Sequence, residues 1–122
     1  MARTNLTVRE LDARNTFLGA VASTELFEAV DPAEGAALEM KGCDDKYLIV
    51  VQNAAEAAKT VTVKAGNGLQ GVADLTETVA GSGYACVALE SGHFKNVAGD
   101  DKGKVILTGS STSIKLAVFK LP

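Results

Sequence analysis

From residue 47 onward the apolar and polar positions fall into short, regular blocks. Residues 47–51, Tyr-Leu-Ile-Val-Val, form a continuous apolar run of strand length, the pattern of a central strand covered on both faces. Residues 59–64, Lys-Thr-Val-Thr-Val-Lys, alternate strictly, which sends Val61 and Val63 inward and the Thr and Lys side chains outward. Gly66, Asn67 and Gly68 end that strand with turn chemistry. Further strands are predicted at residues 74–79 and 84–90, separated by the Ala-Gly-Ser-Gly turn at 80–83. Residues 91–103 form a long connection with Phe94 and Val97 as its apolar anchors. Two last strands cover residues 104–108 and 114–121, and in the second Ile114, Leu116 and Val118 share one face. Short strands punctuated by Gly, Asn, Asp and Ser turns predict a β-sandwich.

The first 46 residues carry a weaker pattern. Residues 6–11 read as a strand or an extended arm. Ser and Thr followed by Glu at positions 23–25 resemble a helix-capping signal, although extended structure is the preferred reading of residues 23–30. Residues 54–59 have helical propensity but are too few for a free-standing helix. The chain shows no repeat and no low-complexity linker, so it is read as one domain over residues 1–122 with an N-terminal arm at 1–14.

Composition fits a globular domain rich in small side chains. Of 122 residues, 47% are hydrophobic and 22% charged, there is no Trp, and aromatics make up only 5%. Small and β-branched residues suit closely packed sheets better than a deep pocket with aromatic walls. The net charge of −3 argues against a nucleic-acid partner held through phosphates. Its distribution says more. All three arginines, Arg3, Arg9 and Arg14, fall near the N-terminus, whereas residues 25–45 hold seven acids against Lys41 alone. That acidic stretch reads as a solvated face, or the two patches of opposite sign read as surfaces that dock on a partner or on neighbouring copies. No apolar run approaches the ~20 residues of a membrane span. The start does not read as a secretory signal, and the two cysteines are too few for a disulfide framework. A reducing cytoplasm is therefore the expected site of synthesis, with Cys43 and Cys86 as free thiols.

The candidate chemical motifs resolve into turns. Gly66, Gly68 and Gly71 fit the GxGxxG spacing, but a dinucleotide site needs a helix next, and the following residues read as strand. His93 is the only histidine, and Cys43 and Cys86 lack zinc-ligand spacing. The serines at 82, 91, 110, 111 and 113 and the acid pairs Asp44-Asp45 and Asp100-Asp101 all sit in turn contexts. No catalytic, cofactor-binding or metal-ligating residue is assigned, and no enzyme activity is expected.

Several segments together resemble a family of small immunoglobulin-like decoration (cement) proteins on the capsids of tailed bacteriophages. They are residues 47–53, 59–68, 74–76, 78–81, 89–96 and 118–121, with Thr7-Val8-Arg9-Glu10-Leu11 similar to the opening strand. These are strand and turn patterns that cover most of the chain, and they carry no chemistry of their own. The resemblance implies an all-β, immunoglobulin-like β-sandwich with an extended N-terminal arm. It implies a late structural protein on the outer capsid surface that decorates or stabilises the head without a cofactor. The phage major capsid protein is the expected partner, together with neighbouring copies on the lattice, with no nucleic acid and no membrane involved. Read from the residues themselves rather than from the resemblance, Arg3, Leu6, Val8, Arg9 and Arg14 are the candidate contact residues: arginine's planar fork suits carboxylate docking, and Leu6 and Val8 would add backbone pairing or burial. The alternative function is an immunoglobulin-like module of a tail or fibre that binds carbohydrate or a host surface. The scarcity of aromatics weighs against it.

Overall fold

A computed structural model describes residues 3–11, 13–40, 46–69, 71, 73–89 and 93–122. The chain is almost entirely β. Its elements are β1 (Thr4–Asn5), β2 (Val8–Glu10), α1 (Ser23–Leu26), β3 (Glu28–Ala29), β4 (Ala36–Glu39), β5 (Tyr47–Asn53), β6 (Lys59–Val63), β7 (Leu75–Val79), β8 (Tyr84–Ala88), β9 (Lys104–Gly109) and β10 (Ile114–Lys120). Strands β5 to β10 stand where the alternation predicts them. The helical signal at 23–25 does produce one turn, α1, and the chain becomes extended again at β3. Residues 54–58 contain no helix.

One sheet has the order β1-β4-β9-β6-β7, and the other β2-β10-β5-β8 with β3 also on β10. Eight of the strands, β3 to β10, form a single long hairpin wrapped on itself. β3 pairs β10, β4 pairs β9, β5 pairs β8 and β6 pairs β7, all antiparallel. Folding the hairpin across its width adds the β5·β10 and β6·β9 ladders. Four-strand rows ordered 3-10-5-8 and 4-9-6-7 make a jelly roll. The all-β, two-sheet expectation therefore holds at the level of layers, but the strand order is not the immunoglobulin one. An immunoglobulin domain ends with two strands in one sheet, whereas β9 and β10 lie in different sheets.

Both inner faces supply one apolar core. Leu38, Val61, Val63, Val105 and Leu107 face Ile49, Val51, Ile114, Leu116 and Val118, all buried. β5 departs from the sequence reading in one respect: its buried and half-buried residues alternate. Only its inner face is fully covered, because the outer face of a two-layer sandwich meets solvent and leaves Leu48 and Val50 half-buried. Asn53, at the end of β5, is fully buried. Its side-chain amide donates to the Val79 and Ala57 carbonyls at 3.0 and 2.9 Å and its oxygen accepts the Ala55 N–H at 3.0 Å. That clamp sets the corner where the two sheets meet. Gly81 completes the corner, since a Cβ there would collide with the Glu56 carbonyl oxygen.

The N-terminal segment is a strap along one side of the sandwich rather than a projecting arm. β1 runs parallel to β4 and β2 parallel to β10, so the chain changes sheets at Leu6 and Thr7. Leu6 and Val8 pack against the core between the sheets.

Candidate functional site

Two flanks of the sandwich differ, and the candidate site follows from the difference. The β4/β10 flank is closed by the strap. Thr4 N–H donates to Gly35 O and Leu6 N–H to Ala37 O, both at 3.0 Å. The Glu28 carboxylate takes the Thr7 N–H at 2.7 Å where the strap changes sheets. Arg3 pairs with Asp101 at 2.8 Å and also reaches the Glu34 carbonyl at 3.3 Å. Of the five candidate contact residues, Arg3, Leu6 and Val8 therefore make contacts within their own chain. Arg9 lies in register with Phe119 on the outer face of its sheet, and Arg14 is exposed in the loop after β2. The ion pair of Arg3 is thus with Asp101, outside the acidic stretch, and within that stretch Arg3 meets the Glu34 backbone carbonyl rather than a carboxylate. That stretch is not one solvated face either, since Asp31 is 3% exposed while Glu34 and Glu39 are exposed. Lys41, Asp44 and Asp45, and the thiol at Cys43, lie outside the described residues.

The opposite flank is open. β7 and β8 are the outermost strands of their sheets, and between them lies a cleft of about 250 Å³ lined by Val51, Val61, Val63, Leu75, Glu77 and Val87, among others. The register places Glu77 opposite Val61 and in phase with Val79, so its carboxylate belongs to the inner face. A charge pointing inward on an edge strand discourages that edge from pairing. This position was legible in the alternation of residues 75–79, where Glu falls on the apolar phase. The cleft itself was not, because composition argues for tight packing. It exists because Ala85 and Val87 are short and nothing among the described residues covers the flank. Cys86 on β8 is free and exposed.

At one end of the sandwich the described residues of two loops are tied together by hydrogen bonds. The Asn67 amide donates to Ala98 O at 2.9 Å and its oxygen accepts the Val97 N–H at 2.8 Å. Gly66 N–H donates to His93 O at 3.0 Å. The glycines at 66, 68 and 71 thus belong to a connection between two strands, with no helix following. Leu69 at the tip is fully exposed, and Val97 is 55% exposed instead of serving as an anchor, whereas Phe94 does pack on the core. Phe17, in the loop after β2, is also fully exposed.

The charged groups nearest the tip hold it in place. Lys64 bridges Asp74 at 2.9 Å, and the Ala65 N–H donates to the other Asp74 oxygen at 2.7 Å. The hydrogen bond from Lys64, then that from Ala65, lowers the Asp74 pKa below its ordinary value of 3.8. Among the described residues no three His, Cys, Asp or Glu side chains lie together as metal ligands. Nor is any helix among these residues long and apolar enough to cross a membrane. What the described surface offers is apolar contact on hydrogen-bonded loops and an open sheet edge. Comparison of the chain with protein-family models, with curated proteins and with solved structures finds no match in any of the three.

Proposed function

We propose that this chain is a structural protein of a tailed-bacteriophage particle that binds the outer surface of the capsid and decorates or stabilises the head. The observation that carries the reading is the braced tip. Leu69 and Val97 stand exposed on loops locked to each other through Asn67. Exposed apolar groups beside such cross-loop hydrogen bonds lose less freedom when they are buried against a partner, which favours protein docking. The sequence resemblance supplies the capsid as the partner, and jelly rolls recur among viral capsid domains. The immunoglobulin-like order belonging to that family is not retained in the proposal, because β9 and β10 sit in separate sheets. The docking role moves with it, from the N-terminal residues to the tip, since Leu6 and Val8 are committed to the core.

A second reading, a carbohydrate- or host-surface-binding module, is favoured by Phe17 and by the 64% exposed Tyr84, because lectin domains also use the jelly roll and sugars stack on exposed rings.

Binding to heads assembled without the protein tests the first reading. Leu69→Asp with Val97→Ser should weaken binding more than tenfold, about 1.4 kcal/mol, while the circular dichroism spectrum stays that of the parent. Unaltered binding by this double variant would remove the tip from the interface. Binding to a glycan array, lost in Phe17→Ala/Tyr84→Ala, with none to heads, would select the second reading.

A further inference from the structure

The open flank presents two strand edges with no ladder partner among the described residues, and they are not equivalent. Each strand has five residues, so each has a central one about which a second copy could pair antiparallel on a two-fold axis. Centred pairing of β7 would place Glu77 directly against its own symmetry mate, and like charges directly opposite destabilise a ladder. β8 has no charge along Tyr84-Ala85-Cys86-Val87-Ala88. It also lacks the Lys, Pro or bulge that usually protects an edge. Among the described residues, its backbone hydrogen bonds go to β5 alone.

The side chains of β8 are complementary to themselves. About Cys86, Tyr84 would oppose Ala88 of the second strand on the outer face, and Ala85 would oppose Val87 on the inner face. Each large residue meets a small one on the same side of the sheet. The inward pair would extend the apolar inner face beyond the cleft, next to Leu75, which is 42% exposed in the single chain. We infer that β8 is a homodimer edge: two copies pair antiparallel about Cys86 and join their β2-β10-β5-β8 sheets into one continuous sheet. This inference does not depend on a capsid role, and its test needs no capsid.

Paired residues across an antiparallel ladder have Cα atoms about 4.5–5.5 Å apart, within the span a disulfide bridges, so Cys86 serves as a reporter. In a Cys43→Ser background, sedimentation equilibrium under reducing conditions should show twice the 12.6 kDa chain mass as concentration rises. Mild oxidation with diamide should then link most chains through Cys86. A control whose only thiol is at the exposed Thr112 (Cys43→Ser/Cys86→Ser/Thr112→Cys) should link far more slowly. Cys86→Lys puts like charges opposite each other at an exposed position and should weaken association at least tenfold with an unchanged melting curve of the monomer. A parent that stays monomeric at every concentration overturns the inference. So does a Cys86→Lys variant that dimerises as well as the parent, which would assign the dimer to another surface.

Discussion

Asn53 shows how much one buried polar side chain can specify. Its amide and oxygen together hold the end of β5, the following bend and the end of β7, with the whole residue out of water. Asn53→Ala would remove those bonds and leave the Ala55 N–H and the Ala57 and Val79 carbonyls to find partners in a corner built around the amide. At about 1–3 kcal/mol for each buried group left unsatisfied, with some relaxation toward solvent, the expected loss is roughly 2–4 kcal/mol. Urea denaturation should show a lower midpoint with an unchanged slope. Asp74 is a different case, because it is exposed. Its folded pKa is lowered by Lys64 and the Ala65 amide, so its contribution to stability is present above the unfolded value near 3.8 and is lost as pH falls through the lower folded value. An NMR titration should give Asp74 a midpoint below 3.8, and Lys64→Ala should bring it upward. A midpoint that does not move would mean that Lys64 is not the cause.

The element that most changes the picture is the strap. In sequence, residues 1–14 read as an arm free to reach a partner, because all three arginines lie there and the regular strand pattern starts only later. In the structure β1 and β2 are edge strands of both sheets, and Leu6 fills the space between them. Leu6→Ala should therefore cost about 1–2 kcal/mol, below the range for a fully buried leucine because this one is only partly buried. Deletion of residues 3–9 should lower thermal stability by considerably more. A deletion variant that melts with the parent would mean that the strap is detachable in solution, and a contact role for Arg3 and Arg9 would regain its force. β4 is the converse case. Ala36-Ala37-Leu38-Glu39 has little strand signal of its own, yet it carries buried Leu38 in the core. Tertiary pairing with β9 makes it a strand despite its two alanines.

At the scale of the whole molecule, local patterns and long-range order separate cleanly. The alternation in residues 59–63 and 114–118 and the turn residues at 66–68 and 80–83 determined where strands begin and end, because a strand's inward face and a turn's backbone demands are local properties. Glu77, on the apolar phase of residues 75–79, is a mark of the open flank that the same alternation carries. These local patterns could not determine which strand lies beside which. Alternation is the same for every half-buried strand, and the β3·β10 pairing joins residues at opposite ends of the wrapped hairpin. The jelly-roll order, the closing of one flank by Leu6 and Val8, and the exposure of β8 on the other were therefore decided only by tertiary structure. There, burial of apolar area between two sheets rewards one global arrangement among many with equivalent local patterns.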